Sequence, residues 1–205
     1  LDGERRAAGF LFLANIHPVL QKHVVAQRGA GTFTILDSMN YWIKNARVEL
    51  ASVIPLVDGV VLNDQEIKSF TGENCLVAAG RKVLQMGPSC VIIKKGEHGV
   101  LALGGDWVVA LPAFPLDRIV DPTGAGDSFA GGLVGYLDMA TGGDRGRLAD
   151  AGLWKKALAW ATCVASFNVQ AFSIEGIAAC SRADIIRRYG EYRKVCQIEG
   201  DLDVS

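Results

Sequence analysis

Residues 121–132 read DPTGAGDSFAGG. The stretch holds two carboxylates, Asp121 and Asp127, with almost no side-chain bulk between them. A plain turn needs only one or two glycines, so this run predicts a backbone that must approach something closely. Lys-Ser/Thr does not follow the glycines, which excludes a Walker A loop, and Gly131 is out of register for the dinucleotide fingerprint. A helix over about 126–138 follows, with Phe129, Leu133 and Leu137 at four-residue spacing and Gly131, Gly132 and Gly135 allowing close backbone packing. The first N–H groups of such a helix have no partner within it. Small residues at 124 to 126 leave those groups uncovered, and uncovered N–H groups at a helix start bind anions. Asp127 stands in that first turn. An acid there complements the helix dipole, but it also repels an anion. A base that takes a proton from a nucleophile while the N–H groups hold a phosphoryl group fits both features.

Outward from this stretch the chain alternates. Apolar runs at 9–15, 32–36, 59–63 and 90–95 predict buried strands. Helices are predicted over 18–28, 64–70, 75–86, 153–167 and 182–194, the first with Pro18 at its start and Gly29 beyond its end. Residues 99–103 and 107–111 flank Gly104-Gly105-Asp106, a hairpin signal. Residues 141–152 read as a polar, Gly-rich loop. The helix over 153–167 is apolar on two faces. Strands alternating with helices predict a parallel α/β sheet covered on both faces, with ligands beyond the carboxyl ends of the strands. Asn63 and the DPTGAGD loop lie at such ends.

With 205 residues, half of them hydrophobic and 21% charged, the chain is expected to form one domain with a substantial core. Its formal net charge of -1 gives no reason to expect a nucleic-acid or membrane-surface partner. No apolar run is long enough to span a bilayer. Five cysteines without CxxC spacing read as buried free thiols of a cytoplasmic protein, and three scattered histidines suggest no His-based metal site.

The segment VDPTGAGDSFAGG resembles the second signature of the ribokinase-like (PfkB) carbohydrate and nucleoside kinases. Other segments follow in the family's order: VVLNDQEIKSFTG resembles its Asn-x-x-Glu segment, VIIKKGEHGVLAL its strand and turn that touch ATP, and ALAWATCVASFNVQ its adenine-site helix. The resemblance implies a three-layer parallel-sheet fold and transfer of the ATP γ-phosphate to a hydroxyl of a small sugar or nucleoside. Asp127 is then the general base, and the backbone of Gly124, Ala125 and Gly126 the anion hole. Asn63 and Glu66 position Mg²⁺ through water, and Lys94, Gly96 and Gly99 lie along the nucleotide. Thr162 falls near the base or ribose. Asp121 and Thr123 match positions that help hold a monovalent cation such as K⁺.

Each position also has a plainer reading: a strand-end cap for Asn63, an exposed acid for Glu66, an exposed strand residue for Lys94, a β-turn for Gly96 and Gly99, a turn residue for Asp121, and a core helix residue for Thr162. The 37–40 segment, DSMN, reads as a loop cap or an approach to substrate. Ser173 stands where the family usually has glycine. The family's N-terminal sugar-binding acid, Gly-Gly segment and β lid are not recognisable, so the chain reads as the C-terminal portion of such a kinase, the full-length protein of which could be a homodimer. Two other readings stand beside it: a vitamin kinase of the hydroxymethylpyrimidine type, and a nucleotide-binding fragment without turnover.

Overall fold

The computed structural model describes residues 1, 3 and 7–197. Six strands form one sheet in chain order: β1 (Phe10–Leu13), β2 (Phe33–Asp37), β3 (Gly59–Asn63), β4 (Cys90–Lys94), β5 (Val100–Gly104) and β6 (Val108–Leu111). β1 to β4 are parallel; β5 and β6 return antiparallel through the hairpin at Gly104-Gly105-Asp106.

The order of the strands decides where the helices go. Each parallel strand is added on the same side of the last, and right-handed crossovers repeated in one direction put every connecting helix on one face. The connecting helices are α1 (Pro18–Val25), α2 (Asn40–Asn45), α3 (Arg47–Val53), α4 (Asp64–Thr71) and α5 (Leu76–Leu84). They share one core, in which Val25, Ile43, Leu50, Ile67 and Val83 meet Leu36, Val60, Leu62, Val91 and Ile93 of the sheet. Alternate residues of the same strands, Ile35, Val61 and Ile92, point to the opposite face. There they pack under α6 (Ala125–Thr141), α7 (Ala151–Asn168) and Tyr192 of α9 (Arg182–Val195), with the short α8 (Glu175–Ala178) between α7 and α9. The result is the expected three-layer α/β arrangement.

Several elements differ from expectation. Residues 40–53 form α2 and α3, which no periodicity or cap announced: Met39 and Ala46 begin them without a side-chain cap bond. The first helix stops at Val25 rather than residue 28, and Arg28 turns to donate to Thr34 Oγ1 and reach Asp58. The expected loop at 141–152 contains a 3-10 turn, Arg145–Ala149, and α7 begins at Ala151, capped by Asp150. Of the three helix glycines, only Gly132 serves close packing. A Cβ there would lie 3.0 Å from Val164 Cβ and 3.2 Å from Ala161 Cα, whereas Gly131 and Gly135 face open space. The helix expected to be buried on two sides is so, with Leu153, Trp154, Ala157, Leu158 and Ala161 all in the core.

A cavity of about 1000 Å³ opens at the amino ends of the strands, lined by residues such as Arg28, Asp58, Trp107, Arg145 and Trp154. None of the motif residues lines it. The motif residues other than Thr162 collect at the other end.

Candidate active site

The loop before α6 takes its shape from Gly124. This residue is left-handed, with φ 80° and ψ -3°, and caps α6 without a side-chain bond. A residue with a Cβ would be strained there. Ala125 N–H donates to Pro122 O and Ser128 N–H to Gly124 O. Among the described residues, no acceptor receives the N–H groups of Gly124, Gly126 or Asp127. The orphan donors expected from the sequence are therefore present, and the exposed Asp127 shares their turn.

Two clips hold this loop. Asp121 accepts from Thr123 N–H at 2.9 Å and from Ser173 N–H at 3.1 Å. The backbone N–H of Thr123 is the main cause that keeps the Asp121 carboxyl below its ordinary range. Ser173, where the family usually has glycine, adopts φ 56° and is the one non-glycine residue with positive φ among the described residues. The second clip is Asn168, the last residue of α7 and only 1% exposed. Its Nδ2 donates to Thr123 O at 2.7 Å, and its Oδ1 accepts from Ser128 Oγ at 3.0 Å. It thus grips the loop on both sides of Gly124–Gly126. Asn168 was not singled out in the sequence. The signal was there: it continues the apolar stripe of Leu153, Ala157, Trp160 and Val164 by four residues, so a polar side chain falls on a core position.

The strand ends supply the rest. Asn63 and Lys94 are register partners at the ends of β3 and β4. Asn63 Oδ1 accepts from Glu66 N–H at 2.8 Å, and Glu66 Oε2 accepts from Asn63 N–H at 2.7 Å. This is a reciprocal capping box that starts α4. Glu66 is nonetheless no exposed surface acid. It is buried, and burial raises its carboxyl above the ordinary range, against the Asn63 N–H and the Lys94 ammonium, which lower it. At the end of β2, Asp37 is also buried, and it accepts from Lys94 Nζ at 3.2 and 3.4 Å. Burial raises the Asp37 carboxyl, Lys94 lowers it, and the Asp127 carboxylate pushes it up further. Gln21 of α1 fixes this corner, donating to Asp37 O at 2.8 Å and to Ala14 O at 3.0 Å. Lys94 Nζ lies 3.4 Å from where a Cβ on Gly126 would stand. The ammonium is therefore beside the open N–H groups. Asp37, left in the sequence as a cap or an approach to substrate, belongs to this cluster.

Gly96 and Gly99 form the turn between β4 and β5, both with positive φ. A Cβ on Gly99 would lie 2.1 Å from Leu111 O, so glycine is required there by the neighbouring backbone. At Gly96 a Cβ would meet nothing within 4 Å, which leaves that side of the turn open. Thr162 is placed apart from this group. It is buried in α7, its Oγ1 donates to Leu158 O at 2.9 Å, and its hydroxyl neighbours Tyr192. Among the described residues, no three carboxylate, imidazole or thiol groups come together as a metal cage. Asn63 and Glu66 offer hard oxygen donors, and Glu66 keeps Oε1 outside its cap bond, a pair suited to Mg²⁺ that retains water. Both Asp121 oxygens already accept backbone N–H groups, so a monovalent cation there would share them. The cysteines are free, but the expectation that they are buried holds only for Cys90 and Cys163: Cys75 is exposed and Cys180 and Cys196 are half-buried.

Known proteins resemble this chain in sequence and in fold. A cytidine kinase from Thermococcus kodakarensis is 40% identical over 90 residues, covering 42% of this chain and 32% of that protein. A deoxyribokinase from Salmonella typhimurium is 31% identical over 140 residues, covering 66% of this chain and 40% of the relative. The chain thus spans about a third to two fifths of these relatives. The solved structure of Arabidopsis thaliana ribokinase with ribose and ATP superposes with a TM-score of 0.72 at 23% identity, covering 90% of this chain and 56% of that one, which speaks for the fold. The pattern of the pfkB family carbohydrate kinases matches residues 8–175, a span that runs from β1 through the Asn63 cap, the Gly96 turn and the Asp127 loop to Ser173. The chain belongs to the pfkB family of carbohydrate kinases.

Proposed function

We propose that this chain carries the phosphoryl-transfer half of a kinase that moves the ATP γ-phosphate to a hydroxyl of a small sugar or nucleoside. The observation that carries the reading is the set of unbonded N–H groups of Gly124, Gly126 and Asp127 in one turn with the Asp127 carboxylate. The names of the relatives support the acceptor class: one is a cytidine kinase and another a deoxyribokinase.

Each residue has a task. The open N–H groups at the start of α6 take the charge that gathers on the transferring phosphoryl oxygens, helped by the positive end of the helix. Asp127 accepts the proton of the acceptor hydroxyl as that oxygen attacks phosphorus. Gly96, with open space beside it, lets the nucleotide approach the β4–β5 turn. Asn63 and Glu66 would hold Mg²⁺ through water, and the ion would screen the phosphate charges. Asp121 and Asn168 hold the loop so that the donors are fixed before the phosphate arrives.

Replacing Asp127 with Asn keeps shape and removes proton acceptance. In the full-length protein, sugar- or nucleoside-dependent ADP release should fall by roughly 10²–10⁴-fold while ATP binding stays nearly the same. Turnover within a few-fold of the parent would remove Asp127 from the role of base.

A further inference from the structure

We infer that Asp37 is a positioning residue for this phosphoryl transfer, holding the Lys94 ammonium over the open first turn of α6 so that it meets the γ-phosphoryl group. The inference rests on the nucleotide reading above and adds to it a residue and a selectivity for ATP over ADP.

The pair spans the sheet. Asp37 ends β2 and Lys94 ends β4, so the contact passes over the end of β3. The Asp37 side chain is 8% exposed and that of Lys94 is 22% exposed. Burying two charges is expensive, and an apolar pair of similar size is often as stable or more so. Fold stability is therefore a poor reason for this pair to exist. Its location gives a better one. Lys94 Nζ lies against Gly126, next to the unbonded N–H groups. An ammonium carries three N–H groups, and the two Asp37 oxygens are its only acceptors among the described residues. Donor capacity remains for a phosphate oxygen.

The neighbouring charges explain why the ammonium must be held. The Asp127 carboxylate acts on Asp37 and Asp37 acts on Glu66, and Lys94 is the cation that acts on both Asp37 and Glu66. Asp64, on the same helix as Glu66, adds a further negative charge. Released from Asp37, the long Lys94 side chain would be drawn toward Glu66 and away from the hole. The backbone carbonyl of Asp37 is also tied to α1, where it accepts from the Gln21 side chain. The strand-end corner is thus built to hold one ammonium in one place.

The test uses this chain and calorimetric binding of ATP and ADP with Mg²⁺ present. The unmodified chain should bind ATP more tightly than ADP. Lys94→Met should lower ATP affinity by about ten-fold or more, the loss of one charge-assisted hydrogen bond, while ADP affinity changes much less. Asp37→Asn should lower the ATP preference in the same sense. The double variant Asp37→Asn/Lys94→Met leaves no buried charge unpaired, so it guards against simple misfolding, and it should lose no more preference than Lys94→Met alone. A purely structural pair would instead weaken ATP and ADP alike, leaving the ratio of the two affinities unchanged. If Asp37→Asn keeps the full ATP preference, the inference is overturned and the nucleotide reading stands. If the unmodified chain binds ATP no better than ADP, the inference is likewise overturned and the nucleotide reading stands; if it binds neither, the nucleotide reading fails first and takes the inference with it.

Discussion

Asn168 offers the sharpest test of how the loop is held. Replacing it with Ala removes two partly buried hydrogen bonds, one to Thr123 O and one from Ser128 Oγ. Each is worth about 1 kcal/mol net, and a partner left dry costs more. Thr123 is exposed and Ser128 half-buried, so water can reach both and the low end applies. The loss should be about 2 kcal/mol. For a chain of this length that is a fall of roughly 4–8 °C in melting temperature. Asn168→Asp separates the two bonds. It keeps an acceptor for Ser128 but replaces the donor to Thr123 with a buried carboxylate facing a carbonyl. It should cost about 3 kcal/mol or more and rank below Ala. Both variants should also weaken ATP binding, because the donors at the start of α6 are no longer fixed in advance. Thermal unfolding followed by circular dichroism, with ATP calorimetry on the same samples, measures all of this. An Asn168→Asp variant that melts with the parent would show that Asn168 does not clip the loop.

Three further outcomes follow from the same geometry. Gly126→Val should leave the melting temperature within a few degrees of the parent, since a Cβ there meets only the movable end of Lys94, and should abolish ATP binding by filling the open turn; retained ATP affinity would place the phosphate elsewhere. Ser173→Gly should raise stability by roughly 0.5–1 kcal/mol, the relief of a left-handed residue less the added freedom of the unfolded chain, as read from chemical denaturation; a loss of stability would show that the Ser173 backbone is not strained. The Asp37 carboxyl is raised above its ordinary value of 3.8, so the folded state holds this proton more tightly than the unfolded one. Its contribution is most favourable below pH 4 and is lost as pH rises through the raised value. Glu66 acts in the same sense. Asp37→Asn should therefore flatten the fall in unfolding free energy between pH 4 and pH 7, and an unchanged slope would contradict this.

The sequence shows the sheet more fully than it shows the site. Continuous apolar runs such as GVVLN and CVIIK are legible as parallel strands because both faces of each are buried, and Gly104-Gly105-Asp106 marks the hairpin. Helices α2 and α3 were missed because they lack capping side chains and lie in a segment too short to show a period. Within the site, the open turn at Gly124–Asp127 was legible because the absence of side chains is itself a local signal. Asp37 and Asn168 were not singled out as site residues. Their roles depend on partners 57 and 45 positions away, Lys94 and Thr123, and local spacing carries no trace of such pairs.

The order of strands in the sheet has a consequence for how the molecule assembles. Spatial neighbours are sequence neighbours from β1 to β6, so each strand finds its partner already made, and no early strand waits for a late one. Such a topology keeps the contacts of the sheet comparatively local, which favours quick formation and growth in the direction of synthesis. The turn before α6 is the exception. Asp127 opens a helix whose loop is tied down by Asn168 and Ser173, from segments that emerge after all six strands. A nascent chain would therefore possess its sheet before this turn, and the Gly124–Asp127 segment would be among the last parts to take shape.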